Sequence, residues 1–322
     1  EVMRVGVREY MTRPFNPAEL TQLIEKHAHS LSAETVGDKS GRIITVFSNK
    51  GGLGKTTIAV NTALALAEIT QKPVALVDLN FQLGDITTFL DVIPKQTIVD
   101  IAKNIGRVDS AYLEASLAHF KHKDSELYIL ADPLHVEEGE EVTSEQINTV
   151  LTVLKATFEY VVIDTTTSFD AKTLTALDLA DNVLLVSMVN LPCIRSSQRV
   201  LTLFERLGYD KQKVKLLLNR YVPDEEISIN DVEETLEHSV FWKFPNNYFA
   251  VMTAINRGIP VNSLENGQVV YQNFVDFAHR LTGLVNRKPV FSEQADDVQE
   301  AASAEKKAKL GLLSLFDKTG KS

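Results

Sequence analysis

The sequence predicts an α/β fold: a mainly parallel, doubly wound sheet with helices on both faces. Three observations carry this. Short apolar, β-rich runs recur at residues 43–47, 74–77, 127–131, 160–164, 183–187 and 214–218, and stretches of helical periodicity lie between most of them, which is the alternation of βα units. Several runs end on a polar residue, Asp78, Asp132, Asp164 or Asn219, at the edge where parallel sheets bind ligands. A glycine-rich turn, residues 49–54, joins the first run to a helical pattern that begins near Lys55.

Each element follows from its own residues. The first helix carries Ile58, Ala59, Thr62, Ala63, Leu66 and Ala67 at helical spacing, an apolar face to lie on the sheet. Pro73 starts the second strand, which runs into Asp78. Short helices are expected over 94–105 and 111–117, then a strand over 127–131 that ends at Asp132-Pro133. His119 and His122 have no matching ligand cluster nearby and read as surface histidines. A helix over 142–158 leads to the strand 160–164, a helix over 176–182 to the strand 183–187, and a helix starts near Leu191. The strand 214–218 ends in Asn219-Arg220. Helices over 230–236, 248–257 and 270–285 complete this part of the chain.

The glycine-rich turn carries the chemistry. Residues 41–57 read GRIITVFSNKGGLGKTT: strand, loop, helix, with Gly54-Lys55-Thr56 closing a phosphate-binding loop and Asn49 where its opening glycine usually stands. Glycines let backbone N–H groups turn around phosphate oxygens, and the helix N-terminus adds positive character. Lys55 would reach the outer phosphates and the Thr56 hydroxyl would bind Mg²⁺.

Composition bounds the rest. With 322 residues, 44% of them hydrophobic, the chain can bury a large α/β core with appendages. No apolar run reaches membrane-spanning length, and the first residues lack the order of a signal peptide, so a cytoplasmic address is expected. The single cysteine, Cys193, rules out an intramolecular disulfide. A net charge of −10 speaks against whole-surface attraction to nucleic acid.

The run KGGLGKTT, residues 50–57, resembles the deviant Walker A motif, KGGxGKT, of the MinD/ParA superfamily of dimerising ATPases. The resemblance implies a P-loop ATPase fold and an ATP-dependent homodimer with ATP and Mg²⁺ between the subunits. Lys50 would touch the partner's nucleotide and Lys55 its own, with Gly51, Gly52, Leu53, Gly54, Thr56 and Thr57 completing the ATP-binding loop. Residues 78–85 resemble switch I, where the second aspartate of Asp-x-Asp usually activates the attacking water. Asn80 stands there instead, and an amide holds water without taking its proton, which puts rapid turnover in question. Asp85 is either its substitute or a turn cap. Residues 160–164 resemble the Walker B strand, although Thr165-Thr166-Thr167 follows where proline is common. The implied catalytic set is Lys50, Lys55, Asp78 and Asn80; the implied metal set is Thr56, Asp78 and Asp164. Asn219 and Arg220, with Pro245 and Asn246, would enclose the adenine.

Two further features narrow the resemblance. Leu191-Pro192, followed by a helix bearing Arg195 and Arg199, is similar to the CpaE/TadZ branch, which assists assembly of tight-adherence, Flp-type pili; a solvated basic edge is the plainer reading of the two arginines. Residues 1–31 resemble the last helix, strand and helix of a receiver domain, with Arg13 in place of the usual lysine before Pro14. Pilus or secretion assembly proteins are then the implied partners, at a polar or peripheral position on the inner membrane face. A ParA-like DNA-partitioning ATPase and a nucleotide-bound scaffold are the alternatives. The expected organisation is a receiver-like remnant (1–31), a linker (32–41), the ATPase domain (42–287) and a flexible tail (288–322). Within the tail, residues 306–316 place bulky apolar side chains after three lysines, a segment suited to an anionic membrane, to a partner's groove or to disorder.

Overall fold

The computed structural model describes residues 41–223 and 226–284. The receiver-like stretch, the linker up to residue 40, and the tail with its 306–316 segment lie outside the described residues.

The elements run β1 (Arg42–Phe47), α1 (Lys55–Thr70), β2 (Val74–Asp78), α2 (Ile86–Leu90), α3 (Ile98–Lys103), α4 (Ser110–Ser116), β3 (Ala118–His122), β4 (Ser125–Leu130), α5 (Val136–Gly139) and α6 (Ser144–Thr157). They continue as β5 (Tyr160–Asp164), α7 (Ala171–Leu179), β6 (Asn182–Ser187), α8 (Leu191–Arg206), β7 (Val214–Tyr221), α9 (Ile229–Leu236), β8 (Val240–Pro245), α10 (Tyr248–Asn256) and α11 (Gln268–Thr282). The described strands form one eight-stranded sheet, in the order β3-β4-β2-β5-β1-β6-β7-β8. Every neighbouring pair is parallel except β3 with β4. The doubly wound sheet expected from the sequence is therefore present. β1 lies between β5 and β6, so the loop after it opens where the winding changes direction.

Alternating side chains serve the two faces. Ile44 and Val46 of β1 join one core with α1, α2, α10 and α11, while Ile43 and Phe47 join another with α3, α4, α6, α7 and α9. Burial of these strands on both faces explains their unbroken apolar runs.

Several boundaries differ from the sequence expectation, each for a local reason. The helix placed at 94–105 begins only at Ile98, because Thr97 and Asp100 form a capping box. The helix placed at 176–182 begins earlier, at Ala171, where the Asp170 carboxylate accepts from the Thr173 N–H at 2.8 Å. β3 has no counterpart in the reading above: its outward residues, His119 and Lys121, interrupt any apolar run, and antiparallel pairing with β4 supplies the order. α1 was expected to bury one face, yet Ile58 to Ala67 are all buried. The reason is α11, which covers its outer side and ties to it through the Tyr271 hydroxyl, donating to Glu68 Oε2 at 2.8 Å.

Candidate functional site

The site grows from the C-terminal ends of β1, β2, β5 and β7. After Phe47 the chain turns through Ser48 to Gly54 and enters α1 at Lys55. Gly52 and Gly54 have φ of 76° and 90°, left-handed values at which a side chain is strained. No atom lies within 4 Å of where a Cβ on Gly51 or Gly52 would stand, so these backbones present an open surface. Gly54 is closed from behind: a Cβ there would come 2.4 Å from Asn219 Nδ2.

The first half of the loop is pinned at two points. Ser48 Oγ bridges the N–H and the carbonyl of Lys50, both at 3.2 Å. Asn49 Oδ1 accepts from the Ser196 hydroxyl of α8 at 2.8 Å. Asn49 thus replaces a glycine and uses its amide to moor the loop to a helix 147 residues away. Lys50 is half-buried and makes no ion pair among the described residues.

Beneath the loop lie the charges. The Thr56 hydroxyl donates to Asp164 Oδ2 at 2.5 Å, whereas Asp164 Oδ1 is buried with no partner. Asp164 stands directly opposite Asp78 on the neighbouring parallel strand. Burial raises both carboxyls, Asp164 to about 6, opposed there by the Thr56 hydrogen bond and the Lys55 charge; at Asp78 the charges of Asp164 and Asp132 push the same way as burial. Lys55 is lowered by burial, against the pull of Asp164.

Asp78 differs from Asp164 in its partners. Its Oδ1 accepts from the Asn80 N–H at 3.0 Å and its Oδ2 from the Ile86 N–H at 3.2 Å. Each of its oxygens thus holds one end of the β2–α2 loop. Asn80 itself is half-buried, and its side-chain amide donates to the Leu83 carbonyl at 2.7 Å. Asp85 sits at the start of α2 and makes no side-chain cap. Asp164 does not cap the following helix; Asp170 does.

On the other side, Asn219 Nδ2 donates to the Leu53 carbonyl at 2.6 Å, so the end of β7 reaches the phosphate loop and Asn219 is no helix cap. Arg220 has φ of 51°, a strained value for a non-glycine residue. Its guanidinium lies 6.0 Å from the Tyr248 ring. Pro245 pairs with Tyr221 in the β7–β8 register, and the Asn246 N–H donates to the Tyr221 carbonyl at 3.0 Å. Asn219, Arg220, Pro245 and Asn246 therefore share one end of two adjacent strands. Asp132 and Ser196 complete the surroundings and were not singled out from sequence as site residues. A strand running into Asp132-Pro133 was the only signal for the first, and none marked the second.

Among the described residues no cluster of His, Cys, Asp and Glu is arranged to hold a metal by itself, His119 and His122 included; His119 pairs with Glu126. A hydroxyl and one unpartnered carboxylate oxygen do fit Mg²⁺, which keeps waters and phosphate oxygens for most of its six ligands. No described helix is long and apolar enough to cross a membrane.

Comparison with known proteins agrees with this geometry. A family model described as an AAA domain matches residues 41–216. The septum site-determining protein MinD of Thermotoga maritima is 30% identical over 250 residues, covering 76% of this chain and 89% of that protein. Among solved structures, a ParA family ATPase from Chlorobium tepidum superposes with a TM-score of 0.68 at 22% identity, covering 74% of this chain and 98% of that one. MinD from Pyrococcus horikoshii, solved with Mg-ADP, gives 0.63 at 20% identity, covering 76% and 98%. With a phosphate loop of the KGGxGKT type on a fold shared with these proteins, the chain belongs to the MinD/ParA family of P-loop ATPases.

Proposed function

We propose that this chain is an ATP-dependent dimerisation switch that positions a larger assembly. The observation that carries the reading is the joint placement of two lysines: Lys55 half-buried at the start of α1, where the Asp164 charge acts on it, and Lys50 held through its backbone by Ser48 without an ion pair among the described residues. In this reading Lys55 binds the phosphates of its own subunit, and Lys50 is left to meet those of a second copy. ATP is bound with Mg²⁺, which supplies charge neutralisation between the outer phosphates when present. Thr56 and Asp164 would hold it. Asp78, each of whose oxygens accepts one backbone N–H, would anchor the switch I loop and keep lone pairs with which to face the ion. Asn219, Arg220, Pro245 and Asn246 form the adenine end, and Gly51, Gly52, Leu53, Gly54 and Thr57 complete the loop.

The assembly served is read from residues 190–199. Leu191-Pro192 opens α8 with Pro192 in its first turn, and Arg195 and Arg199 are exposed on it. What supports the CpaE/TadZ-like role in tight-adherence pili, at the cell pole or the inner face of the membrane, is the resemblance of this segment and of residues 1–31; the exposure of the two arginines fits a solvated basic edge equally. The relatives named above are septum-site and ParA-type proteins, which favours a second reading, partition of DNA by the ATP-bound dimer; the acidic balance of the chain counts against it. Solution mass by light scattering, with Mg²⁺ and either ATP or ADP, tests the switch: a dimer with ATP alone is expected, and one mass under both conditions would overturn it. A salt-sensitive DNA shift only with ATP would move the choice to partition.

A further inference from the structure

Seven residues, 79–85, carry the chain across the nucleotide edge between β2 and α2. Both ends are hung from Asp78, and the Leu79 N–H also donates to the Asp164 carbonyl at 2.9 Å. The middle leans on the segment that follows β4. Phe81 and Pro133 crowd Gly139 so closely that a Cβ there would come 3.0 Å from each. Gly84 is laid directly on Asp132: a Cβ on it would come 2.2 Å from the Asp132 carboxyl carbon and 2.4 Å from Oδ2. Gly84 is not among the residues of positive φ, so the glycine serves close approach and not handedness. Burial raises the Asp132 carboxyl, with its own backbone N–H and then that of Gly84 acting the other way.

We propose that Asp132 is a positioning residue for switch I, its carboxylate receiving the Gly84 backbone and so setting where Asn80 faces the nucleotide. The proposal rests on reading the 79–85 loop as the nucleotide-sensing loop. The relay is short. Asp132 holds Gly84, Gly84 follows Leu83, and the Leu83 carbonyl accepts from the Asn80 side chain at 2.7 Å. Asp132 follows β4, which lies on the far side of β2 from β1 and its phosphate loop. It therefore sets the loop's position without being part of the phosphate cradle.

Hydrogen exchange of the full chain tests this, reading the peptide over residues 79–86 against the phosphate-loop peptide over 48–57. In Asp132→Ala, without nucleotide, loop exchange is expected to rise about ten-fold while the phosphate-loop peptide is unchanged. Asp132→Asn keeps an acceptor oxygen and should restore the wild-type rate. Gly84→Ala, which forces the two apart with the carboxylate intact, should loosen the loop as Asp132→Ala does. ATP affinity, read with a fluorescent analogue, should stay within about two-fold in all three. Unchanged loop exchange in Asp132→Ala, or an Asp132→Asn variant as loose as the alanine one, would overturn the proposal. Failure of the wild-type chain to bind ATP would instead remove the ATPase-switch reading, and the exchange comparison made without nucleotide would still decide what Asp132 does.

Discussion

Thr56 and Asp164 meet across the edge of the sheet: the hydroxyl donates to one carboxylate oxygen at 2.5 Å, and the other oxygen is buried without a partner. They lie 108 residues apart, brought together because β1 and β5 are parallel neighbours in register. A buried acceptor without a partner is costly, and a bound cation that completes it offsets that cost. The relationship thus ties the stability of the apo chain to the ligand it takes.

The pH dependence of stability follows. Asp164 titrates at about 6 in the fold, raised from 3.8 mainly by burial. The folded state then holds its proton more tightly than the unfolded one, so the cost of the group is full above about 6 and fades as pH falls toward 3.8. Without nucleotide, Asp164→Asn should be more stable than wild type at pH 8, by on the order of 2 kcal/mol, with the difference gone near pH 4. Urea unfolding across that range measures it. With Mg²⁺ and ATP the order should reverse, because only the carboxylate gains from the ion. An Asp164→Asn variant less stable than wild type at pH 8 would show that the empty site already compensates this charge.

The two lysines should separate binding from dimerisation. Lys55→Ala should weaken ATP binding by about 100-fold or more, since a buried phosphate loses its charged donor. Lys50→Ala should bind ATP within about three-fold of wild type but fail to dimerise with it, because Ser48 holds the loop through the Lys50 backbone, which the variant keeps, while the ammonium makes no ion pair among the described residues. Calorimetry and light scattering read the two properties. A Lys50→Ala variant that still dimerises would remove the role across the interface.

Much of this site was legible because its signals are local. Residues 50–57 carry the loop in consecutive order, and Asp78 and Asp164 each end an apolar run. What stayed hidden depends on pairings between distant segments. Nothing near Asn49 says that Ser196 will moor it, and only the β2–β4 neighbour relation brings Asp132 under Gly84. α1 read as amphipathic because the covering helix, α11, lies some 200 residues further on. Asp78 shows the same limit: its place at a strand end was readable, while the two backbone N–H groups that occupy it depend on the path of a loop.

Asn219 supports the phosphate loop from behind, and the fit leaves no room. Gly54 combines a φ of 90° with a Cβ position 2.4 Å from Asn219 Nδ2. Gly54→Ala should therefore displace the loop and lower ATP affinity by at least about ten-fold. Against the background of Asn219→Ala, which by itself loses the bond to Leu53 and the proposed adenine contact, Gly54→Ala meets no clash but keeps the backbone strain, so there it should cost less than in the wild-type background. Calorimetric titration of the single and double variants checks this. A cost that vanishes in the Asn219→Ala background would assign the whole effect to crowding, and an equal cost in both backgrounds would assign it to the left-handed backbone.

Asn80→Asp sets hydrolysis against stability. The Asn80 amide donates to the Leu83 carbonyl, a bond that an aspartate at this place cannot make. The new carboxylate would also join Asp78 at the site, with the fields of Asp85 and Asp132 already reaching its neighbours. The apo variant should lose about 1 kcal/mol in urea unfolding. Turnover should move the other way, because a carboxylate can take the proton of the attacking water and general-base catalysis contributes roughly 100-fold or more when well placed. Steady-state phosphate release, with and without a saturating Mg²⁺ concentration, measures the gain. A rise of about ten-fold or more at unchanged KM would identify Asn80 as the residue that slows this ATPase and would favour a long-lived ATP-bound dimer. No rise, with the stability loss present, would show that the carboxylate is in the loop but not at the water, and that the limit on turnover lies elsewhere in the assembled dimer.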